Sequence, residues 1–298
     1  MFGVEITADL LMQTTINALW AASFAALLAV GLVLIFGVMG VINFAHGELY
    51  MLGAYVVWYL YGENGWAFPI AVLIAILAIA GFGMVMERTL FRPMRGNPLG
   101  GLIISVGLLF VLQVVAVEWG GVGLMKHVPS PYQGAITLFG NEAVSVSAQR
   151  LLVVVAAIVL LGALWLFLYR TRIGWAMRAV AQDMEAASLQ GIGINRFSLL
   201  AMAIGAGLAG AAGAFMSPLV RVDPNMGGQA IITAFIVIIV GGIGSLEGAV
   251  LAAVLFSFFH TFVTTLYDGT LATILGLVIM MVVLVIKPTG IMGTVEKV

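Results

Sequence analysis

The sequence contains no cysteine among its 298 residues. Disulfides, thiolate metal sites and cysteine nucleophiles are therefore excluded. Charge is almost as scarce, with 12 Lys+Arg and 13 Asp+Glu making up 8% of the chain. A soluble domain carries about a quarter charged residues, so a soluble fold is excluded as well. There is no basic face or low-complexity tail of the kind that binds nucleic acid. Lysine occurs only at positions 126, 287 and 297, and none of the three precedes Ser or Thr. The Walker A pattern is thus absent, and the chain holds no P-loop for ATP. No catalytic motif is present, no cofactor is implied, and the chain reads as a non-enzyme.

What remains is apolar sequence, with 63% hydrophobic residues. The charges fall in gaps between uncharged runs: Leu10–Gly47, Asn64–Met86, Gly96–Val117, Leu151–Tyr169, Phe197–Val220, Pro224–Leu246, Gly248–Tyr267 and Gly269–Ile286. A spanning helix needs roughly 20 mostly apolar residues, a length that most of these runs reach. The pattern predicts an all-α, polytopic transmembrane helix bundle of about eight to nine spans, with room for broken or re-entrant helices. It is read as one domain over residues 1–298. Met1–Asp9 has Glu5 and Asp9 but no basic residue, which does not suit a signal peptide. The first run is read as a retained helix.

Nine of the twelve basic residues fall on one side of the threading: Arg88, Arg92, Arg95, Arg170, Arg172, Arg178, Arg196, Lys287 and Lys297. The positive-inside rule makes that side cytoplasmic, with the N-terminus outside and the C-terminus inside. Leu49–Gly62 is short, about 21 Å as helix against a core of about 30 Å, and reads as half of a broken helix. Asn97-Pro98 has the signature of an N-cap followed by a first helical residue. Ala206, Gly210 and Ala214 share one face at four-residue spacing, where helices can approach closely. The external stretch between Glu118 and Arg150 suggests a small β-hairpin from Ala135–Phe139 and Ala143–Val146.

Three segments are candidates for function. The first is Asn43, His46 and Glu48, a polar patch inside an apolar region. Two arrangements are open for it: a broken helix lining a translocation path, or a wetted hairpin at the cytoplasmic interface. His46 and Glu48 are two residues apart, do not share a helix face, and so do not form a metal site. The second is Gly241–Gly248, a glycine-rich echo of Gly40–Glu48, from which Gly242, Ser245 and Glu247 are path candidates. A plain cytoplasmic turn is the other reading.

The third segment is the cytoplasmic loop 170–196. Trp175–Gln190 is rich in helix formers, and Met177, Val180, Met184 and Ala187 make an apolar stripe. One short amphipathic helix is expected here, closed by Gly191 and Gly193. It suits docking to a partner protein better than lying on anionic lipid, because it carries Asp183 and Glu185.

The block Gly31–Tyr55, with Ile42-Asn43-Phe44-Ala45-His46-Gly47-Glu48 at its centre, resembles the high-affinity, LivH-type branched-chain amino acid permeases of bacterial ABC importers. The segment Gly174-Trp175-Ala176-Met177-Arg178-Ala179 through Asp183, Ala186 and Gly191-Ile192 resembles that family's cytoplasmic loop. Gly241–Gly248 and Pro288-Thr289-Gly290 fit as well.

The resemblance implies an inner-membrane permease subunit, embedded in lipid and paired with a second homologous permease. Two cytoplasmic ABC ATPases would supply energy, and a periplasmic or extracellular binding protein would deliver leucine, isoleucine or valine. It implies that Gly174, Arg178, Asp183, Glu185, Gly191 and Ile192 couple to the ATPases. Urea and short-amide permeases share these motifs, and an ATP-independent secondary transporter is the competing class.

Overall fold

The computed structural model describes residues 6–121, 125–138 and 141–293. Glu5, Phe139 and Lys297, which figured in the expectations above, lie outside the described residues.

The first helix, α1 (Ala8–Met39), starts where the Thr7 hydroxyl accepts the Leu10 N–H and ends at Gly40. Gly40 takes a left-handed conformation (φ 65°) and returns its N–H to the Phe36 carbonyl, a stop that suits glycine. Val41–Ala45 is not helical. Next comes α2 (His46–Val57), which continues into a π-helical turn over Trp58–Glu63. The third helix, α3 (Phe68–Met86), ends in a π-helical turn at Glu87–Phe91 and a 3-10 turn at Arg92–Met94. In α4 (Pro98–Gly120) the Asn97 side chain accepts the Gly100 N–H at 2.9 Å, with Pro98 first in the helix, as the sequence indicated.

The expected hairpin is present as antiparallel β1 (Ala135–Leu138) and β2 (Asn141–Ser147). Seven further helices follow: α5 (Ala148–Arg170), α6 (Arg172–Gln182), α7 (Met184–Leu189), α8 (Ile194–Met216), α9 (Met226–Gly241), α10 (Leu246–Leu266) and α11 (Gly269–Ile286). Asp268 caps α11 by accepting N–H groups from Leu271 and Thr270, and these donors hold its carboxyl below the usual carboxylate range. The cap is therefore in place at neutral pH and is lost only in acid.

Among the described residues, seven helices are long and apolar enough to cross a membrane. The 16-residue α9 and the α2–π-turn unit bring the total to the upper end of the expected eight to nine spans. Helices α3, α4, α5 and α11 turn Leu77, Ile103, Ile158 and Met281 outward as an apolar belt. α1 and α8 form the buried centre.

Small residues explain how the centre packs so closely. Without a hydrophobic drive between helices in lipid, association depends on close van der Waals approach. A Cβ on Gly205 would stand 2.6 Å from the Gly31 carbonyl oxygen of α1. One on Gly53 of α2 would stand 2.7 Å from the Gly210 Cα, and one on Gly83 of α3 would strike the Ala206 methyl. Three helices thus meet α8 backbone to backbone, and Ala206 and Gly210 sit where their spacing placed them.

The loop 170–196 differs from the single helix expected over Trp175–Gln190. It breaks at Asp183, whose extended backbone (φ −156°) ends α6, while its carboxylate accepts the Ala186 N–H and starts α7. Asp is a strong N-cap, and its capping bond outweighs helix continuity here. The apolar stripe survives the break, with Met177, Val180 and Ala187 buried against the bundle.

Gly205→Ala is expected to lower the thermal stability of the detergent-solubilised protein by about 1–3 kcal/mol, the usual cost of overpacking. Gly81→Ala, with nothing within 4 Å of the added methyl, is expected to leave it unchanged or slightly raised. A thermal-shift comparison of the two variants checks this.

Candidate functional site

The polar patch Asn43–Glu48 lies inside the bundle. The His46 Nε2 is 3.1 Å from the Leu28 carbonyl, and Leu28 precedes the end of α1 by eleven residues (28 to 39). That is about 16 Å of helix. The five residues Val41–Ala45 can reach at most about 17 Å when extended. The chain therefore turns at Gly40 and runs back along α1 before α2 begins. The wetted-hairpin arrangement left open by the sequence is not the one adopted: Asn43, His46 and Glu48 are all fully buried.

Non-helical backbone at this depth must find its hydrogen bonds in the protein. Ser105 of α4 supplies them. Its hydroxyl oxygen accepts the Phe44 N–H at 3.1 Å and lies 3.4 Å from the Ile42 carbonyl, while donating to its own Leu102 carbonyl at 2.8 Å. Phe44 packs on Phe235 of α9, with ring centroids 4.8 Å apart.

The three side chains share a depth but not a pocket. A carbonyl can only accept, so His46 carries its proton on Nε2, and its Nδ1 is left as an acceptor without a donor. The imidazole faces Gly31 of α1. Glu48 points elsewhere, accepting from Gln113 Nε2 of α4 at 3.1 Å, and a Cβ on Gly227 of α9 would stand 2.6 Å from its Oε2. Glu48 Oε2 and both side-chain heteroatoms of Asn43 have no hydrogen-bond partner. Each such atom costs about 1–3 kcal/mol where it is buried. No group of three metal-ligating side chains occurs among the described residues.

The second candidate set lies apart from the first. Gly242 (φ 112°) and Gly244 (φ 89°) form a tight turn between α9 and α10, a geometry that favours glycine. The chain near residue 290 seals it: Ile291 N–H donates to Val240 and Met292 N–H donates to Gly241. Ser245 caps α10 by accepting the Gly248 N–H at 3.0 Å. The echo with Gly40–Glu48 does not extend to structure, since one segment runs deep and the other is a compact turn.

Glu247 connects instead to the loop helices. It accepts a short hydrogen bond from the Tyr169 hydroxyl of α5. Arg178 of α6 lies over the Tyr169 ring, 4.3 Å from its centroid, and donates from Nε to the Leu168 carbonyl. α6 is thus fastened to α5, and through Tyr169 to α10. Gly174 is needed for this fit, because a Cβ there would stand 2.5 Å from the Leu168 Cα. Of the loop residues, Arg178 turns inward and Asp183 caps α7. Glu185 and Gly191 are exposed, and Ile192 is half-buried with its N–H on the Ala187 carbonyl.

Sequence reasoning missed Ser105, Tyr169 and Glu87. Glu87 is fully buried and bonded by Arg92 at 2.6 Å and Arg95 at 3.2 Å, while Arg95 also donates to Asn195 of α8. Arg92 and Arg95 had been read only as markers of orientation. A glutamate five and eight residues before arginines at a span's end was the available signal. Ser105 and Tyr169 carried none.

Ser105→Ala leaves the Phe44 N–H without an acceptor and is expected to destabilise the protein by about 1–3 kcal/mol, with Ser105→Thr closer to the parent. Denaturation of the purified variants in detergent measures the difference.

Known proteins were compared with this chain. A family described as "Branched-chain amino acid transport system / permease component" matches residues 14–286. The high-affinity branched-chain amino acid transport system permease protein BraD of Pseudomonas aeruginosa is 34% identical, over 96% of this chain and 98% of its own. The corresponding permease protein LivH of Escherichia coli K12 is 31% identical, over 96% and 97%. A probable branched-chain amino acid transport permease of Methanocaldococcus jannaschii is 27% identical, over 93% and 91%. No solved structure matches. A single-chain helical bundle with a broken span, matched along nearly its whole length, thus belongs to the branched-chain amino acid transport permease family.

Proposed function

We propose that this chain is one of two homologous permease subunits of an ABC importer that carries leucine, isoleucine and valine inward across the bacterial inner membrane. Two cytoplasmic ATPases supply the energy, and an external binding protein delivers the solute. In this reading the N-terminus is outside and the C-terminus inside, as the bias of basic residues indicates.

The observation that carries the proposal is the α6–α7 pair. Its inner face is fastened to the bundle through Arg178, Tyr169 and Glu247, and its outer face is left open, with Leu189 81% exposed and Glu185 and Gln190 exposed beside it. A short amphipathic element of this kind suits the groove of a partner protein. Glu185, with Gly191 and Ile192 at the end of α7, then meets the ATPase, while Gly174, Arg178 and Asp183 keep the pair in shape. Movement of the pair reaches α10 at Glu247, beside the Gly242–Ser245 turn, and this is how the second candidate set enters the transport cycle. Asn43, His46 and Glu48 belong to the wall that rearranges when the path opens, since their unpartnered atoms are better satisfied by water or solute than by the closed bundle.

Two measurements test the reading. Proteoliposomes holding the full assembly are expected to accumulate leucine with ATP, and those holding this chain alone to accumulate none under a sodium or proton gradient. Gradient-driven uptake by the single chain would replace the proposal with a secondary transporter. With no native cysteine to interfere, Gln190→Cys is expected to react with an impermeant thiol reagent only in inside-out vesicles. Reaction on intact cells would put α7 on the wrong side for any ATPase.

A further inference from the structure

One side of the bundle carries a set of polar side chains where a lipid-facing surface would be wholly apolar. A groove of about 390 Å³ opens there between α1, α9 and α10, with Arg150 of α5 among its lining residues. That volume is in the range of small-molecule sites. On α10, Ser257, His260, Thr261 and Thr264 recur at offsets of three, four and seven residues, so a single helix face carries them all. Hydroxyls in spanning helices commonly bond back to a carbonyl four residues earlier. Thr14, Thr233 and Thr273 of this chain do so. Thr261 and Thr264 make no hydrogen bond among the described residues. Polar groups left open in a membrane face a cavity or a partner.

The charge in the groove is equally unspent. Arg150 donates from one terminal nitrogen to Asn17 Oδ1 at 2.6 Å and lies 4.7 Å from the Trp20 ring centroid. No carboxylate pairs with it among the described residues. A guanidinium has five N–H donors in a fixed fork, and among the described residues only one is engaged here. Asn17 and Trp20 hold that fork in place, and the Trp20 indole nitrogen is itself a donor without an acceptor. Phe24 and Phe256 give the same groove an apolar wall. A held guanidinium, free hydroxyls and aromatic carbons together match a small apolar amino acid, with carboxylate, ammonium and side chain each answered.

We propose that this groove is a solute site in which Arg150 receives the carboxylate of the amino acid in transit. The inference rests on the amino-acid-permease reading and adds where, and by which chemistry, the solute is held. A bidentate oxoanion contact is what an Arg fork is shaped for, and the phosphate of a lipid headgroup shares that chemistry. The solute carboxylate is the occupant argued here, because the groove continues inward from Arg150 along hydroxyls that a headgroup would not need.

The test uses the assembled transporter in membranes and exploits the absence of native cysteine. Thr261→Cys is expected to react with a water-soluble thiol reagent, while Leu255→Cys, on the exposed apolar side of α10, stays unreactive. L-leucine is expected to slow labelling of Thr261→Cys about ten-fold, the scale of one charge-assisted contact. Leucinamide, which lacks the carboxylate, is expected not to. Adding Arg150→Gln should abolish the protection and Arg150→Lys should keep part of it. Equal protection by leucine and leucinamide, protection that survives Arg150→Gln, or an unreactive Thr261→Cys would each overturn the site. Labelling that answers to anionic lipid content but not to leucine would assign Arg150 to a headgroup instead. Leucine uptake by the parent assembly is measured alongside: its absence refutes the permease reading, whereas normal uptake with unprotected labelling refutes the groove alone.

Discussion

The constraint on which this structure depends is that a backbone leaving helical form within a membrane must be answered by protein. Between Gly40 and His46 the chain does leave it, at a depth set by the His46–Leu28 hydrogen bond. Ser105 answers the Phe44 N–H, and the aromatic pair Phe44–Phe235 shuts the segment in. The arrangement is possible only because α2 can come within backbone distance of α8, which the glycines at 53 and 210 allow. Four helices thereby cooperate to hold one short non-helical stretch of chain. The unpartnered atoms of Asn43, His46 and Glu48 are what that arrangement leaves over.

The parts of the fold that were legible in the sequence were those governed by local physics. Apolar runs gave the spans, Asn97-Pro98 gave a helix start, and small residues at four-residue spacing on α8 gave a packing face. The β1–β2 hairpin was legible for the same reason. The break at Asp183 was not, because a good helix former on either side hid a cap that acts through a single side-chain bond. Depth was equally hidden: Asn43–Glu48 is buried by contacts 18 to 65 residues away, which no local pattern announces. The glycine echo at Gly241–Gly248 misled because glycine permits many backbone geometries and specifies none. The polar role of Tyr169 gave no local sign, since Glu247 and Arg178 belong to other helices.

The end of the bundle that carries the loop helices is held by two polar fastenings of different kind. Glu87, buried between Arg92 and Arg95 and linked onward to Asn195, ties the end of α3 to the start of α8. Arg178, Tyr169 and Glu247 tie α6 to α5 and α10. The first encloses its carboxylate completely, so salt in the surrounding water screens it little. The second is more open and sits beside the loop helices proposed to meet the ATPases.

The glycine and alanine faces of α8 have a mechanical implication. Helices that interlock through large side chains resist displacement, because every step requires rotamers to change. Where α1 and α2 touch α8, main chain meets main chain at Gly31–Gly205 and Gly53–Gly210, with Ile35 and Ile79 seated over the two α8 glycines. Such a seam is suited to gliding, in the manner of the small shear motions by which packed helices slide. α8 is therefore built as a rail for small displacements of α1 and α2, while the Glu87–Arg95–Asn195 link keeps the end of α3 moored to it.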